Sequence, residues 1–433
     1  MTDRLFKILE KITPTKWHWM FNHDGYKRYF ANTSWMFGGQ MFSLLVSFFV
    51  GAWLARYLGP ENYGILSYAF AFVGLFGFIS SLGVDGILNR ELIKNPEKRD
   101  ELLGTAFRLK LIGGIIAFFL AVFCVMLFQN SHLIELLVIL YSFSFILQAL
   151  NVINTYFQAE VKAKNSVKAI FTATIISSIF KIVFILLNKG VIWIMFIFLL
   201  DVLWQGIGFI RVYNNHGLKT KNWYFNKDLA KSILKNSWPL MLASAAGFIY
   251  LKIDQIMIGY MLGIHEVGIY AVAVKIVEIW YFIPAIICAS LFPAIMNAKK
   301  ISIEIYKHRL KFFYILMAVI PIVMAIPITL LAKPIIQILF GNEYLESINI
   351  LRIYIWSSLG LFLSYAVGQY LMSENLVKAI FWLNFFAMVI NITLNLVLIP
   401  LFGIIGSAWA TLISYLTLPL GVFIIKNKIK LYD

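Results

Sequence analysis

Apolar runs of about twenty residues recur from Trp35 to Ile425, each long enough to cross a bilayer as a helix. That recurrence decides the fold class, because a chain immersed in lipid must pair its backbone polar groups within its own helices. Only 13% of the residues are charged and 61% are hydrophobic, where a soluble chain carries about 25% charged residues. The sequence therefore predicts an all-α integral membrane protein. Twelve spans fall at 33–56, 63–84, 106–128, 133–157, 168–188, 190–212, 238–262, 268–296, 310–331, 348–372, 376–399 and 404–425. No secretory signal is read, since the first run follows the mixed and basic residues 1–30. Trp17, Trp19 and Phe21 make that stretch either an interfacial segment or a loosely ordered tail. Cys124 and Cys288 lie inside spans and read as small buried side chains.

The net charge of +16 would fit a nucleic-acid binder, but its placement argues otherwise. Thirty of the 37 Lys and Arg residues fall on alternate connections, three on the opposite set, and four within spans. Such a bias is the positive-inside pattern, and it predicts both termini in the cytoplasm. The connections on the far side are short. The largest, Ala332–Ser347, contains Pro334–Phe340, which reads as a short interfacial helix. The longest basic link, Val212–Asn236, separates six spans from six. The predicted organisation is a basic segment 1–30, a first lobe 31–213, a cytoplasmic linker 214–237, a second lobe 238–425 and a tail 426–433.

The two halves resemble each other. At an offset of 204, Leu58, Gly59, Gly64, Ile65, Ala69, Val73 and Phe78 meet identical residues between Leu262 and Phe282. The run Val167-Lys-Ala-Ile-Phe171 recurs as Val377-Lys-Ala-Ile-Phe381, an offset of 210. Six spans per half give both halves the same direction of insertion, related by an axis along the membrane normal. Transporters built this way bind substrate between the halves and rock one against the other. Duplication for packing alone is the other reading of such a repeat.

Catalytic patterns are absent. There is no phosphate-binding glycine loop ending in Lys-Ser/Thr, the six histidines have no ligand spacing, and no D-x-D pair offers a sugar-nucleotide metal site. No enzyme activity, metal or other cofactor is expected. The chemistry-bearing signal is charge inside the spans: Lys181, Asp201, Lys252, Asp254, Lys275 and Glu278. Each costs roughly 3 kcal/mol if it faces lipid, so all six must face the interior or a watery cavity. Lys252 and Asp254 are two apart and point to nearly opposite sides of a helix, whereas Lys275 and Glu278 share a face. Counted from the Gly263–Val267 turn at about 1.5 Å per residue, these four lie near mid-membrane. Lys252 can then meet Glu278, and Asp254 can meet Lys275. The charges are either interhelix ion pairs that fix packing or the wall of a cationic cavity for an anionic headgroup. Asn384, Asn391 and Asn395 share one face of span eleven, and Gln369 and Tyr365 on span ten can join them. Such a stripe either ties helices together or lines a path for a hydroxyl-rich solute. Pro284 and Pro293 fall in span eight and Pro321 and Pro327 in span nine, where each removes a backbone hydrogen bond and kinks the helix.

The run Ala55-Arg-Tyr-Leu-Gly-Pro-Glu-Asn-Tyr-Gly64 resembles the signature of the polysaccharide-biosynthesis exporters, the O-antigen flippase (Wzx-type) branch of the multidrug/oligosaccharidyl-lipid/polysaccharide (MOP) superfamily. Trp238-Pro239, Ile253-Asp254-Gln-Ile-Met-Ile-Gly259, Val267-Gly-Ile-Tyr270 and Ile338-Leu-Phe-Gly341 with Tyr344 resemble its later landmarks, so the likeness covers about residues 30–425. The resemblance implies a MATE/MurJ-like fold, two six-helix lobes around a central cavity. It implies export of undecaprenyl-diphosphate-linked oligosaccharide units across a bacterial inner membrane, coupled to a proton or sodium gradient. Membrane lipids and polysaccharide polymerase machinery would be partners. Lys252, Lys275 and Lys181 are the positions that could hold a diphosphate, with Arg56 and Arg352 joining from the outer ends. Asp254 matches the family's span-seven Asp, a coupling or gating group, and Glu278 and Asp201 are further candidates for that role. The competing readings are a cation-coupled drug exporter of the same superfamily, a polytopic enzyme of polysaccharide assembly, and a scaffold for a synthesis complex.

Overall fold

The structure, a computed structural model, describes residues 24–374 and 376–426. The interfacial or tail reading of residues 1–23 and the tail from 427 onward lie outside them. Among the described residues there is no strand, and eleven helices are long and apolar enough to cross a membrane. The first of these, Ser34–Gly74, has 41 residues, roughly 60 Å of helix against a hydrocarbon core of about 30 Å. It is two crossings, because the helix breaks at Gly59 (φ 69°, ψ 170°). Positive φ suits glycine. The extended ψ is what the following proline demands, and Pro60 then opens the next helix, where its missing N–H costs nothing. Twelve crossings result, as the sequence predicts.

The remaining crossings are Pro96–Phe128, His132–Ala159, Ala163–Leu186, Val191–Asn215, Lys227–Met261, Ile264–Lys299, Ile303–Leu330, Ser347–Ser373, Lys378–Phe402 and Ile404–Gly421. They place the turns at Gly59, Gly263, Gly341 and Gly403 at one end of the molecule, which we call the closed end. The basic connections lie at the other end. A short helix, Ala332–Leu339, sits at the closed end as expected. Both cysteines are free thiols.

Two boundaries differ from the sequence reading. Span seven starts at Lys227, inside the stretch assigned to the linker. The Asn226 side chain accepts hydrogen bonds from the backbone N–H groups of Asp228 and Leu229, a helix cap. Ala230, Ile233 and Ser237 are buried while Lys227, Lys231 and Lys235 are exposed. The link is thus partly an amphipathic first turn of the second half. Span eight breaks not at its prolines but just before them, between Ile264–Glu278 and Phe282–Lys299. Pro284 falls in the first turn of the second piece, where a helix has no use for its N–H.

The apolar core shows how the halves meet. At the closed end one cluster joins both halves, from Ala52–Val73 through Val267–Val277 to Ile350–Tyr354. Toward the basic end the core divides. One cluster belongs to the first half, with Ala230 and Ile233 of the link, and the other belongs to the second half. The joint itself is reciprocal. A Cβ on Gly64 would strike the carbonyl of Ile264, and a Cβ on Gly268 would strike the carbonyl of Pro60. Residues 60 and 264, like 64 and 268, are 204 apart. The two copies of the repeat therefore cross each other about a local two-fold axis, in the manner of an isologous contact.

Alanine at Gly64 or Gly268 should therefore destabilise the protein by about 1–3 kcal/mol, the usual range for overpacking, measured as thermal unfolding in detergent. Gly247→Ala, where an added Cβ meets nothing within 4 Å, should be neutral or slightly stabilising. Equal melting temperatures for all three variants would contradict the crossing.

Candidate functional site

Gly51 on span one and Gly74 on span two leave room at mid-depth for two side chains from the other half. A Cβ on Gly51 would overlap the Lys275 ammonium, and one on Gly74 would lie 3.5 Å from Lys252 Cγ. Lys252 Nζ donates to Glu278 Oε1 at 2.9 Å, and each side chain keeps about a third of its surface exposed (29% and 34%). The pairing expected from depth therefore forms. The second expected pairing, Asp254 with Lys275, does not. Helix geometry explains the difference: Lys275 shares the face of Glu278, so once Lys252 turns toward Glu278, Asp254 two residues on points away.

Lys275 has no carboxylate within ion-pair distance among the described residues. Its ammonium lies 5.8 Å from the centroid of the Tyr63 ring, within reach of the ring's negative face. Lys181 is buried, 8% exposed, with its ammonium 3.8 Å from the Phe198 ring centroid. It lies within electrostatic range of both Asp201 and Lys275. Among the described residues Asp201 Oδ1 and the neighbouring Ser177 hydroxyl have no hydrogen-bond partner, although Ser177 and Gln205 lie beside the carboxylate. The space between the halves thus gathers three ammonium groups and two carboxylates, with one close ion pair. Arg56 is held at the closed end, where it donates to the Ile338 carbonyl at 3.4 Å. Arg352 is exposed near the same end on span ten. Neither joins the central group.

Asp254 builds a separate system. It is 3% exposed and accepts from Tyr270 at 3.1 Å, from Asn395 Nδ2 at 2.8 Å and from Thr411. Asn391 donates to Ser414 at 3.2 Å, and its Oδ1 accepts from Asn395 at 3.2 Å. Asn391 and Asn395 are fully buried, so this part of the asparagine stripe ties helices together and lines no path. Asn384 and Gln369 are half-buried. Among the described residues Asn395 Oδ1 and Ser407 Oγ have no hydrogen-bond partner; Asn395 is bonded to the carboxylate through its Nδ2, and Ser407 lies beside Tyr270. The sequence gives no site role to Tyr270, Ser407, Thr411 or Ser414. The last three recur at spacings of four and three on one face of span twelve, and that periodicity was the available signal. At the offset of 210, Asn391 and Thr411 correspond to Lys181 and Asp201. One half therefore carries an ammonium and a carboxylate where the other carries an amide and a hydroxyl.

Another pair went unread. Lys110 was grouped with the basic connections, yet it is 3% exposed inside span three and donates to both Asp85 oxygens, at 2.8 and 3.0 Å. Among the described residues no group of three or more His, Cys, Asp or Glu is placed to hold a metal ion.

With this geometry in view, comparison with known proteins is informative. The model of the family described as polysaccharide biosynthesis protein matches residues 29–299. An uncharacterized membrane protein of Methanocaldococcus jannaschii is 31% identical over 209 residues, 48% of each chain, so the match spans about half the length of this curated relative. The fold is similar to an inward-facing multidrug resistance MATE family transporter of the MOP superfamily, with a TM-score of 0.73, 15% identity, and 89% of this chain and 94% of that one covered. It is also similar to the lipid II flippase MurJ in an inward closed conformation, with a TM-score of 0.67, 18% identity and coverage of 91% and 87%. The MATE/MurJ-like fold expected from the sequence is the fold observed.

Removing the Asp254 carboxylate should strand three donors. Asp254→Leu is expected to lose about 3 kcal/mol of stability, from unsatisfied groups at about 1–3 kcal/mol each. Lys252→Met combined with Glu278→Met should lose less than either single change, since each single change leaves a charge unpaired. Thermal unfolding in detergent checks both, and additive effects at 252 and 278 would contradict the pairing.

Proposed function

Since the chain belongs to the polysaccharide biosynthesis protein family, we propose that it is a flippase for undecaprenyl-diphosphate-linked oligosaccharide units. It moves them across the inner membrane by alternating access between its two halves. The observation that carries this reading is Lys275, a mid-depth ammonium with no carboxylate at ion-pair distance among the described residues, set near a second ammonium, Lys181. A diphosphate supplies the missing negative charge, and an ammonium serves it as a point-charge donor. In a low-dielectric cavity that interaction is stronger than in water.

The positive-inside bias puts both termini and the basic end in the cytoplasm. In this reading the closed end faces outward. Membrane lipids and the polymerase that receives the exported units are the partners this reading implies. Asp254 is the coupling group. It is buried away from the central charges, and the nearby oxygens of Asn395 and Ser407 that have no partner among the described residues suit a proton or a sodium ion. A cation-coupled drug exporter would need an uncompensated carboxylate facing the cavity. Glu278 is paired with Lys252, Asp254 is 3% exposed and Asp201 lies in the field of Lys181, so the surplus of ammonium over carboxylate groups favours an anionic cargo.

Complementation of a flippase-null strain tests this, with membrane protein levels measured alongside surface polysaccharide. Lys275→Ala should keep normal levels and lose at least tenfold in polysaccharide. The exchange Lys252→Glu with Glu278→Lys should recover more function than Lys252→Glu alone, because that pair sets the cavity wall. Full activity of Lys275→Ala would sink the headgroup assignment.

A further inference from the structure

A second polar space lies in the first half, apart from the central charges. Spans two, three, four and six enclose a cavity of about 290 Å³, just below the roughly 300–1,000 Å³ of sites that hold drug-sized ligands. It has room for one small ring and not for a whole repeat unit. Its only charged lining groups among the described residues are Asp85 and Lys110, and they neutralise each other at 2.8 Å. The cavity is therefore polar without net charge, which disfavours a phosphate.

The lining chemistry is specific. Lys110 is sealed, with 4% of its side chain exposed, while 43% of the Asp85 side chain remains open. A carboxylate has about four lone-pair sites, so Asp85 can still accept from a ligand's hydroxyls beyond its bonds to Lys110 and Thr155. Gln148, Asn151 and Gln205 add amides that both donate and accept, matching hydroxyl groups that do the same. Leu150 and Phe209 supply an apolar wall for C–H surface. Gln205 lies one helical turn beyond Asp201 and beside its carboxylate, so the cavity adjoins the central charge group. Asn391 and Asn395 of span eleven cannot serve a sugar in their place, because both are fully buried.

We infer that this cavity receives one neutral pyranose ring of the carried oligosaccharide while the diphosphate rests on Lys275. The inference depends on the flippase reading above, and it adds a site that selects glycosylated lipid over bare lipid.

Native mass spectrometry of the full-length protein in detergent tests it, with two probes: undecaprenyl diphosphate, and the source cell's own undecaprenyl-diphosphate-linked repeat unit. The wild type should bind the glycosylated lipid at least tenfold more tightly. Asn151→Leu with Gln205→Leu should erase that advantage and leave bare-lipid binding in place. Ser81→Phe, which fills the cavity from another helix, should do the same and decides the matter if the double variant fails to fold. Lys275→Ala should weaken both lipids together. An advantage that persists in folded cavity variants, or that the wild type lacks, overturns the sugar site and spares the flippase reading. Binding of neither lipid by the wild type overturns both.

Discussion

Two glycines that touch each other's helices hold this molecule together. In lipid there is no hydrophobic drive between apolar helices, so association relies on close packing of small residues. Gly64 against the Ile264 carbonyl and Gly268 against the Pro60 carbonyl are the two equivalent halves of one contact. That crossing joins the cores at the closed end and leaves them separate toward the basic end. It also sets spans one and two against spans seven and eight, so that Gly51 meets Lys275 and Gly74 meets Lys252 at mid-depth. The polar centre of the molecule is thus a consequence of the joint. A side chain at either glycine would part the same helices that frame the charges.

Apart from the Lys110–Asp85 pair of the first half, the charges inside the spans divide into two systems, and helix geometry forces the division. Span seven sends Lys252 toward Gly74 of the other half and Glu278 of span eight, and Asp254 into its own half, toward Tyr270, Asn395 and Thr411. One system is cationic and lies between the halves, where the proposed headgroup would rest. The other is an almost fully hydrogen-bonded carboxylate inside one half, where a small cation could act without meeting that headgroup. A transporter that couples two movements needs such separation. The two sites share a single helix, so a change at one can be felt at the other as a tilt or rotation of span seven.

Much of this was legible in the chain. Apolar length gave the crossings, and the identical residues 204 apart gave the repeat, because Gly59 and Gly263 both adopt positive φ at equivalent turns. Depth counted from Gly263 brought Lys252 to Glu278. Of the partners of Asp254, Asn395 was legible as part of the span-eleven stripe, and the convergence of the others was not. Tyr270 and Thr411 are ordinary residues in membrane helices, and only the tertiary arrangement shows that they converge on one carboxylate. Lys110 falls within span three by apolar length, but it follows a dense basic stretch, and nothing in sequence shows that Asp85 meets it and that it is buried. The break before Phe282 escaped for a related reason: proline marks the first turn after a break as readily as the break itself.

The most direct measurement is leaflet exchange in proteoliposomes made with the purified protein, using a fluorescent undecaprenyl-diphosphate oligosaccharide and, separately, a lipophilic cationic dye. The account predicts protein-dependent transfer of the anionic lipid to the opposite leaflet, faster under an imposed proton or sodium gradient, with no transport of the dye. Transport of the dye without transfer of the lipid would contradict it and would make the chain a drug exporter built on the same fold.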